Sequence, residues 1–214
     1  MKQILETYSP QFTAQWQGIM GNEHVPSHAE LEQLLNKSSA FVFYGTERFL
    51  ANLMPSRLVA MNVAECQIVI LFDLFQSSRT FFRQSKLDEN KSLLQLSLED
   101  PLNAVILLSL TGVSSVMANQ WHTTLIENAK RADIVFENLL KLGHTTGQTM
   151  QAMQKQSALS GTSDNLGSNN QGHLIVMDTE QRRKQMNDDD QAQEGLLPSD
   201  FNCVLYGLPN LVVM

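Results

Sequence analysis

The stretch Leu110-Thr-Gly-Val-Ser-Ser-Val-Met-Ala-Asn-Gln-Trp121 contains a helix end, a glycine, an apolar run and a polar turn. Gly112 stands where helices commonly end, because the residue past a helix often adopts a left-handed conformation that glycine tolerates best. The run Val113 to Ala118 is typical of a short strand buried on both faces. A helix that leads directly into such a strand predicts an α/β domain.

Similar patterns extend outward in both directions from this stretch. Strands are predicted at Ala40-Phe-Val-Phe-Tyr44, at Gln67 to Phe72 and, near the C-terminus, at Phe201 to Gly207. Capping residues, prolines and helical spacing predict the helices. These begin or run at Ser9-Pro10 (with Trp16 and Ile19), Ser27 to about Asn36, Arg48 to Met54, Ser77 to Lys86, Pro101 to Leu110, Leu125 to Leu142, and from Thr145 or Thr146 onward.

The alternation of apolar strands with helices predicts the fold class, α/β with a mainly parallel sheet flanked by helices. The helix Pro101 to Leu110 is apolar nearly all round, so we expect the rest of the domain to cover it. The chain divides into an N-terminal helical segment (1–38), an α/β core (39–156), an insertion (157–199) and a closing strand with a tail (200–214). The insertion is acidic and polar and includes Asp188-Asp-Asp190, so we expect it to be disordered.

Composition excludes several classes of function. The 214 residues suffice for one sizeable core, and the formal net charge of -7 argues against a nucleic-acid-binding surface. Cys66 and Cys203 are the two cysteines, which fits free thiols in a reducing compartment. We find neither a signal peptide nor an apolar run of transmembrane length, so we expect a soluble intracellular protein without membrane insertion.

The order of these elements resembles the CHAT domain, a caspase- and separase-like fold. Three patches carry the resemblance: Gly112 to Trp121, then Phe136 to Gly143 with the helix after it, and Phe201 to Gly207. They resemble the family's strand and Trp motif, its helix and glycine, and its closing strand and glycine. Gly112, Trp121, Gly143 and Gly207 are therefore the expected structural motif residues. Because the family fold begins with further strands, the resemblance implies a domain that is incomplete at its N-terminus.

A ciliary branch of this family is more similar still, at Tyr44 to Leu50, Arg83 to Asp88 and Leu108 to Trp121. Its members belong to the central apparatus of motile axonemes. This resemblance implies a structural role in ciliary motility, a location in the cytoplasm, cytoskeleton and cilium axoneme, and no cofactor. The implied partners are other central-apparatus proteins in a microtubule-associated assembly.

Active members of the clan are cysteine peptidases, in which a His-Gly turn after one strand supplies the base and a Cys after the next strand supplies the nucleophile. In this sequence Tyr44 or Thr46 stands at the histidine position, and Leu74 stands at the cysteine position. A leucine cannot attack a carbonyl carbon, and neither Tyr nor Thr is a competent base near neutral pH. The resemblance therefore implies a pseudo-peptidase with both positions of its dyad replaced.

Two alternatives remain open at this stage. A residual peptidase would use Cys66 with His122, although Cys66 precedes its strand. A peptide-binding pseudoenzyme would contact basic ligands through Tyr44, Glu47 and Asp73 at the vestigial cleft. The histidines show no metal-ligand spacing, because the helix that would align His24 with His28 is predicted to begin between them, so we predict no metal site.

Overall fold

The protein is described by a computed structural model over residues 2–11, 16–19, 26–75, 77–163 and 201–213. The strands are β1 (Ala40–Tyr44), β2 (Ile68–Phe72), β3 (Ser115–Asn119) and β4 (Cys203–Gly207). The helices are α1 (Lys2–Tyr8), α2 (His28–Lys37), α3 (Phe49–Asn52), α4 (Pro55–Ala60), α5 (Ser78–Asp88), α6 (Leu93–Leu98), α7 (Pro101–Leu110), α8 (Leu125–Phe136) and α9 (Thr146–Ser163). A 3-10 turn, Ser9–Gln11, follows α1, and a π-helical turn, Glu137–Lys141, extends α8.

The four strands lie side by side in chain order within the described residues. β1 pairs with β2 and β2 with β3 in parallel, whereas β4 runs antiparallel to β3. The predicted α/β class with a mainly parallel sheet is confirmed. Since β1, β2 and β3 are parallel, their carboxyl ends meet at one edge, which we call the carboxyl edge.

Helices cover both faces of the sheet, as the apolar strands predict. Along β2, Val69 and Leu71 pack into one hydrophobic cluster, together with residues of α2, α3, α4 and α7. Ile70 and Phe72 point to the other cluster, which contains residues of α1, α8 and α9. All five residues of β2 are buried, so this strand forms the centre of the core.

Side-chain caps fix where several helices begin. Ser27 and Glu30 form a capping box at α2, as the sequence predicts, and Thr124 with Glu127 forms one at α8. Further capping boxes start α5 and α6. The helix predicted over Leu125 to Leu142 is present as α8 followed by the π-helical turn.

The N-terminal segment differs from its prediction. The first helix begins at Lys2 within the predicted helical segment, before the predicted start at Ser9-Pro10, and Tyr8 is anchored because its hydroxyl donates to an Asp133 carboxylate oxygen (3.1 Å). The predicted helix after Ser9-Pro10 is wrong over residues 16–19, which are not helical. Trp16 instead packs against the cluster under α8, so tertiary contact outweighs helical spacing here.

Two short helices, α4 and α6, were not predicted because each offers only a few residues of periodic sequence. At the other end of the core, α9 continues to Ser163, beyond the start of the predicted insertion. The remainder of that insertion, including Asp188 to Asp190, lies outside the described residues. Among the described helices, none has both the length and the apolar character needed to cross a membrane.

The expectation that α7 is covered is wrong for one side of the helix. Leu102, Ile106 and Leu110 recur at every fourth position and are 49%, 46% and 77% exposed. The buried side of α7, which faces the sheet, consists of Ala104, Val105 and Leu108. Nearly uniform apolarity therefore did not mean that the helix was enclosed, because the described part of the chain supplies cover for one face only.

Candidate functional site

The carboxyl edge brings together the two turns that carry the positions at which the family resemblance predicts a replaced catalytic dyad. Tyr44 is in register with Phe72, and the Gly45 N–H donates to the Phe72 carbonyl oxygen (3.2 Å). The chain after β2 is also tied to the chain after β3, because the Thr123 N–H donates to the Leu74 carbonyl oxygen (3.0 Å). The loops after three parallel strands thus converge here, where α/β proteins usually place their sites.

Tyr44 and Thr46 occupy the turn after β1. The Tyr44 hydroxyl donates to the Leu125 carbonyl oxygen (3.3 Å), which ties the turn to the start of α8. Burial raises the pKa of Tyr44, so its phenol stays protonated near neutral pH. Thr46 is half-buried beside it. Neither side chain is suited to take a proton from a nucleophile.

Leu74 lies after β2 in an unusual backbone conformation. Its φ is +58°, in the left-handed region that non-glycine residues avoid, and its side chain is 3% exposed. The strain is retained because the side chain is packed and the backbone carbonyl accepts the Thr123 N–H. The position at which a nucleophile is expected therefore holds a buried hydrocarbon in a sharply turned backbone.

Asp73 serves a structural purpose at this edge. Its carboxylate accepts the Phe49 N–H (3.0 Å), which caps α3 from a neighbouring strand, since the α3 N-cap residue itself makes no side-chain cap bond. Burial raises the pKa of Asp73 to about 6, against the opposing effects of the hydrogen bonds from backbone N–H groups and of the nearby Arg48 charge. At 5% exposure the residue offers a ligand almost no surface.

Two asparagines support the main chain at Asp73. Asn119, at the end of β3, and Asn128, in α8, both donate to the Asp73 carbonyl oxygen (3.0 and 3.1 Å). Asn119 also donates to the Asn128 side-chain oxygen (2.9 Å). The Asn119 oxygen is fully buried with no hydrogen-bond partner in the described part of the chain. The cluster holds the β2 end in place at the cost of one unsatisfied acceptor.

Four charged side chains surround the turn after β1. Arg48 donates to both Asp88 carboxylate oxygens (2.6 and 2.8 Å) and to Glu99 (3.0 Å). Lys91 lies 2.7 Å from a Glu99 oxygen and 3.3 Å from Asp88. The side chains of this network are between 8% and 22% exposed, so they are screened less than surface pairs. The network joins the β1 turn to the ends of α5 and α6.

Glu47 also forms an ion pair within the domain. Arg83, on α5, donates to a Glu47 carboxylate oxygen (2.8 Å). With Asp73 capping α3 and Glu47 paired, the two carboxylates that were candidates for binding basic peptides are both occupied. Their geometry gives no support to the peptide-binding alternative.

The cysteines and His122 are arranged unfavourably for catalysis. Cys66 precedes β2 and lies at the amino end of the sheet, whereas His122 follows β3 at the carboxyl edge, so a strand length of roughly 15 Å separates them. Cys66 is fully buried, and burial raises its pKa to about 11. Partial burial and the Arg48 charge lower the pKa of His122.

Cys203 is the thiol at the same edge as His122, a juxtaposition that the sequence did not reveal. It is in register with Asn119 across the β3–β4 pair. The residue is 2% exposed, and burial raises its pKa to about 12 despite the opposing charge of Arg131. A thiol of this kind is almost entirely protonated at neutral pH and shielded from a substrate, so it behaves as a core residue.

The buried Arg131 is a further residue that sequence reasoning missed. Its guanidinium donates to the Thr123 hydroxyl oxygen (3.0 Å), and the Thr123 hydroxyl donates to Glu127 (2.8 Å). Burial raises the pKa of Glu127, but hydrogen bonds from Thr123 and Thr124 and the Arg131 charge outweigh burial and lower it overall. In sequence Arg131 looks like an ordinary polar residue of a helix, so only the α8 packing geometry reveals it.

Backbone conformation accounts for the three glycines among the four motif residues. Gly112, Gly143 and Gly207 have φ values of +111°, +65° and +91°, which explains the glycines. A Cβ on Gly207 would collide with the Ser114 carbonyl oxygen. Trp121 is 44% exposed, and its backbone N–H and carbonyl are both bound by the Asn202 side chain (2.9 and 3.0 Å).

Metal binding finds no support in the described residues, which contain no group of His, Cys, Asp or Glu able to hold an ion. His24 falls outside the described residues, so the His24–His28 pair is not seen. The sequence matches no protein-family model. Two features remain as candidates for function: the carboxyl edge, and the exposed apolar side chains of α5, α6 and α7.

Proposed function

We propose that this chain is a catalytically inactive caspase-like domain that acts as an assembly module. The observation that carries the proposal is the pairing of the two turns at the carboxyl edge, with Tyr44 and Thr46 in one and Leu74 in the other. A cysteine peptidase needs a base and a thiolate at these positions. Three parallel strands followed by an antiparallel closing strand are compatible with the α/β class to which such a domain would belong.

The exposed apolar side chains support an assembly role. On α7, Leu102, Ile106 and Leu110 form a ridge along one helix face, which we call the α7 ridge. Leu93 and Leu94 on α6 are 86% and 70% exposed. Exposed apolar patches of this kind often mark protein-protein contacts, and burying each large side chain contributes about 1.5–3 kcal/mol.

The setting we propose is the central apparatus of the motile axoneme, where the chain would contribute to ciliary motility through other central-apparatus proteins on microtubules. Support comes from sequence resemblance alone. Tyr44 to Leu50, Arg83 to Asp88 and Leu108 to Trp121 resemble the C-terminal region of cilia- and flagella-associated protein 46. In the structure Arg48 and Asp88, from two of these patches, form an ion pair.

The assembly role is tested with variants of the α7 ridge in ciliated cells. Ile106→Glu places a charge in the ridge, and Ile126→Glu is the matched control because Ile126 is 69% exposed on α8, across the sheet. We expect the wild type and the control to remain with detergent-extracted axonemes, and Ile106→Glu to be lost from them. Equal retention of all three proteins would count against docking through α7.

The loss of catalysis is tested separately with a thiol-reactive peptide electrophile. We expect the folded protein to show no labelling faster than that of an unrelated buried thiol, because burial raises the pKa of both thiols. Rapid labelling that disappears in Cys66→Ala or Cys203→Ala would overturn the pseudo-peptidase proposal.

A further inference from the structure

Helix α5 is held to the domain almost entirely by polar contacts. It spans Ser78–Asp88, and none of its residues is buried. Its attachments are the capping box at Ser77, the Arg83–Glu47 ion pair (2.8 Å) and the Asp88–Arg48 ion pair. An isolated eleven-residue helix is only marginally stable in water. These polar contacts therefore hold α5 in place at the carboxyl edge.

The outer side of α5 carries three basic residues around a phenylalanine. Arg79, Phe82, Arg83 and Lys86 follow the spacing i, i+3, i+4, i+7, which places them on one helix face. Phe82 is 72% exposed and the Arg83 side chain is 65% exposed, while Arg79 and Lys86 are also exposed. We call these four residues the α5 basic face.

The α5 basic face is unusual in this chain, whose formal net charge is -7. Positive charges that surround an exposed aromatic ring suit a partner with negative charges around an apolar side chain. Glu47 forms an ion pair with Arg83, and Glu89, an exposed carboxylate, directly follows the last residue of α5.

A lipid surface is a poorer match than a polypeptide. A membrane-bound helix needs a continuous apolar side, with its basic residues opposite or at the boundary. On α5 the apolar residues Phe81, Phe82 and Leu87 point in three different directions at 100° per residue, and Phe82 stands among the basic residues. The helix therefore lacks an apolar side that would enter a bilayer.

We propose that the α5 basic face binds an acidic polypeptide segment that carries an apolar side chain, with Phe82 as the apolar contact and Arg79, Arg83 and Lys86 as the ionic ones. This proposal goes beyond the assembly role and does not depend on the ciliary setting. It concerns a different surface from the α7 ridge, so an experiment can refute this proposal without refuting the assembly role, and the reverse.

The test uses the full chain and a fluorescein-labelled, glutamate-rich dodecapeptide that contains one leucine, titrated by fluorescence anisotropy. We expect Arg79→Glu/Lys86→Glu to weaken binding at least about tenfold, because the charges become repulsive. Phe82→Ser should weaken binding by about tenfold through loss of the apolar contact. Raising the salt concentration should lower the affinity of the wild type for the peptide. It should also reduce the difference in affinity between the wild type and Arg79→Glu/Lys86→Glu.

Lys130→Glu/Lys141→Glu is the matched control, because both lysines are exposed on the α8 side of the sheet and the change in net charge is the same. It should bind the peptide as the wild type does, and circular dichroism should show all variants folded. Equal weakening in the control would mean non-specific attraction and would overturn the proposal.

Two other occupants, a membrane and a second copy of this chain, give distinct results that would also overturn it. Sedimentation with phosphatidylserine vesicles, without peptide binding, would identify a membrane site. Concentration-dependent dimerisation that Phe82→Ser abolishes would identify a second copy. Peptide binding that appears only after Asp188, Asp189 and Asp190 are changed to Asn would support the proposal and identify the chain's own acidic segment as a competing occupant of the face.

Discussion

Replacing Asp73 by Asn should change how the stability of the protein depends on pH. The buried Asp73 carboxylate caps α3 through the Phe49 N–H, and burial raises its pKa from the ordinary 3.8 to about 6. The folded state therefore binds this proton more tightly than the unfolded state. As the pH rises from about 4 to about 6, the carboxyl ionises and the protein loses stability through this group.

The size of the effect follows from that difference in pKa. Moving a pKa from 3.8 to about 6 corresponds to about 3 kcal/mol of free energy of unfolding. Asp73→Asn retains an oxygen that can accept the Phe49 N–H but never ionises. We therefore expect the stability of the variant, relative to wild type, to improve by about 2 kcal/mol between pH 4 and pH 7, because the unfolded carboxyl group is already partly ionised at pH 4.

Urea unfolding of both proteins, followed by circular dichroism from pH 4 to pH 8, measures this relative stability. Asp100→Asn is the control, because Asp100 is exposed and makes no side-chain cap bond at the start of α7. Its stability relative to wild type should stay nearly constant across the same range. The stability of Asp73→Asn relative to wild type could instead stay constant or fall as the pH rises. Either result would refute the interpretation of Asp73 as a buried helix cap with a raised pKa, and Asp73 would again be a candidate ligand contact.

Three further predictions concern local supports of the fold and are measured by urea unfolding. Gly207→Ala should destabilise by at least about 1 kcal/mol more than Gly143→Ala, because a Cβ collides with backbone at the first site and meets nothing within 4 Å at the second; equal losses would contradict this. Arg48→Met should cost about 2 kcal/mol by leaving two carboxylates to Lys91 alone, and unchanged stability would show that the network is not stabilising. In a double-mutant cycle, Asn119→Ala and Asn128→Ala should be non-additive by about 0.5 kcal/mol or more, since the side chains bond each other and share one carbonyl; strict additivity would oppose the cluster.

The sheet was largely predictable because its strands are short, apolar and bounded by glycine or polar residues. β1 was predicted with its observed bounds, and β2, β3 and β4 within two residues of theirs. The capping box at Ser27 was equally predictable, since it depends only on the spacing between Ser27 and Glu30. Signals of this kind lie within a few residues and require no knowledge of the rest of the chain.

What sequence could not reveal depends on contacts between distant residues. The Arg48 network joins residues from three elements, and Cys203 reaches the carboxyl edge only because β4 runs antiparallel to β3. Asp73 was named as a possible ligand contact because its capping partner, the Phe49 N–H, is far away in sequence. For α7, a helix that is apolar all round gives no periodic indication of which side is buried.

The central proposal, an inactive domain that assembles with other proteins, is tested most directly by affinity capture of the tagged chain from ciliated cells with quantitative mass spectrometry. The account predicts enrichment of axonemal central-apparatus proteins by the wild type and by Ile126→Glu, and loss of that enrichment in Ile106→Glu. Recovery of cleaved peptides without axonemal proteins, from a folded wild type, would contradict it and point back to a peptidase at the carboxyl edge.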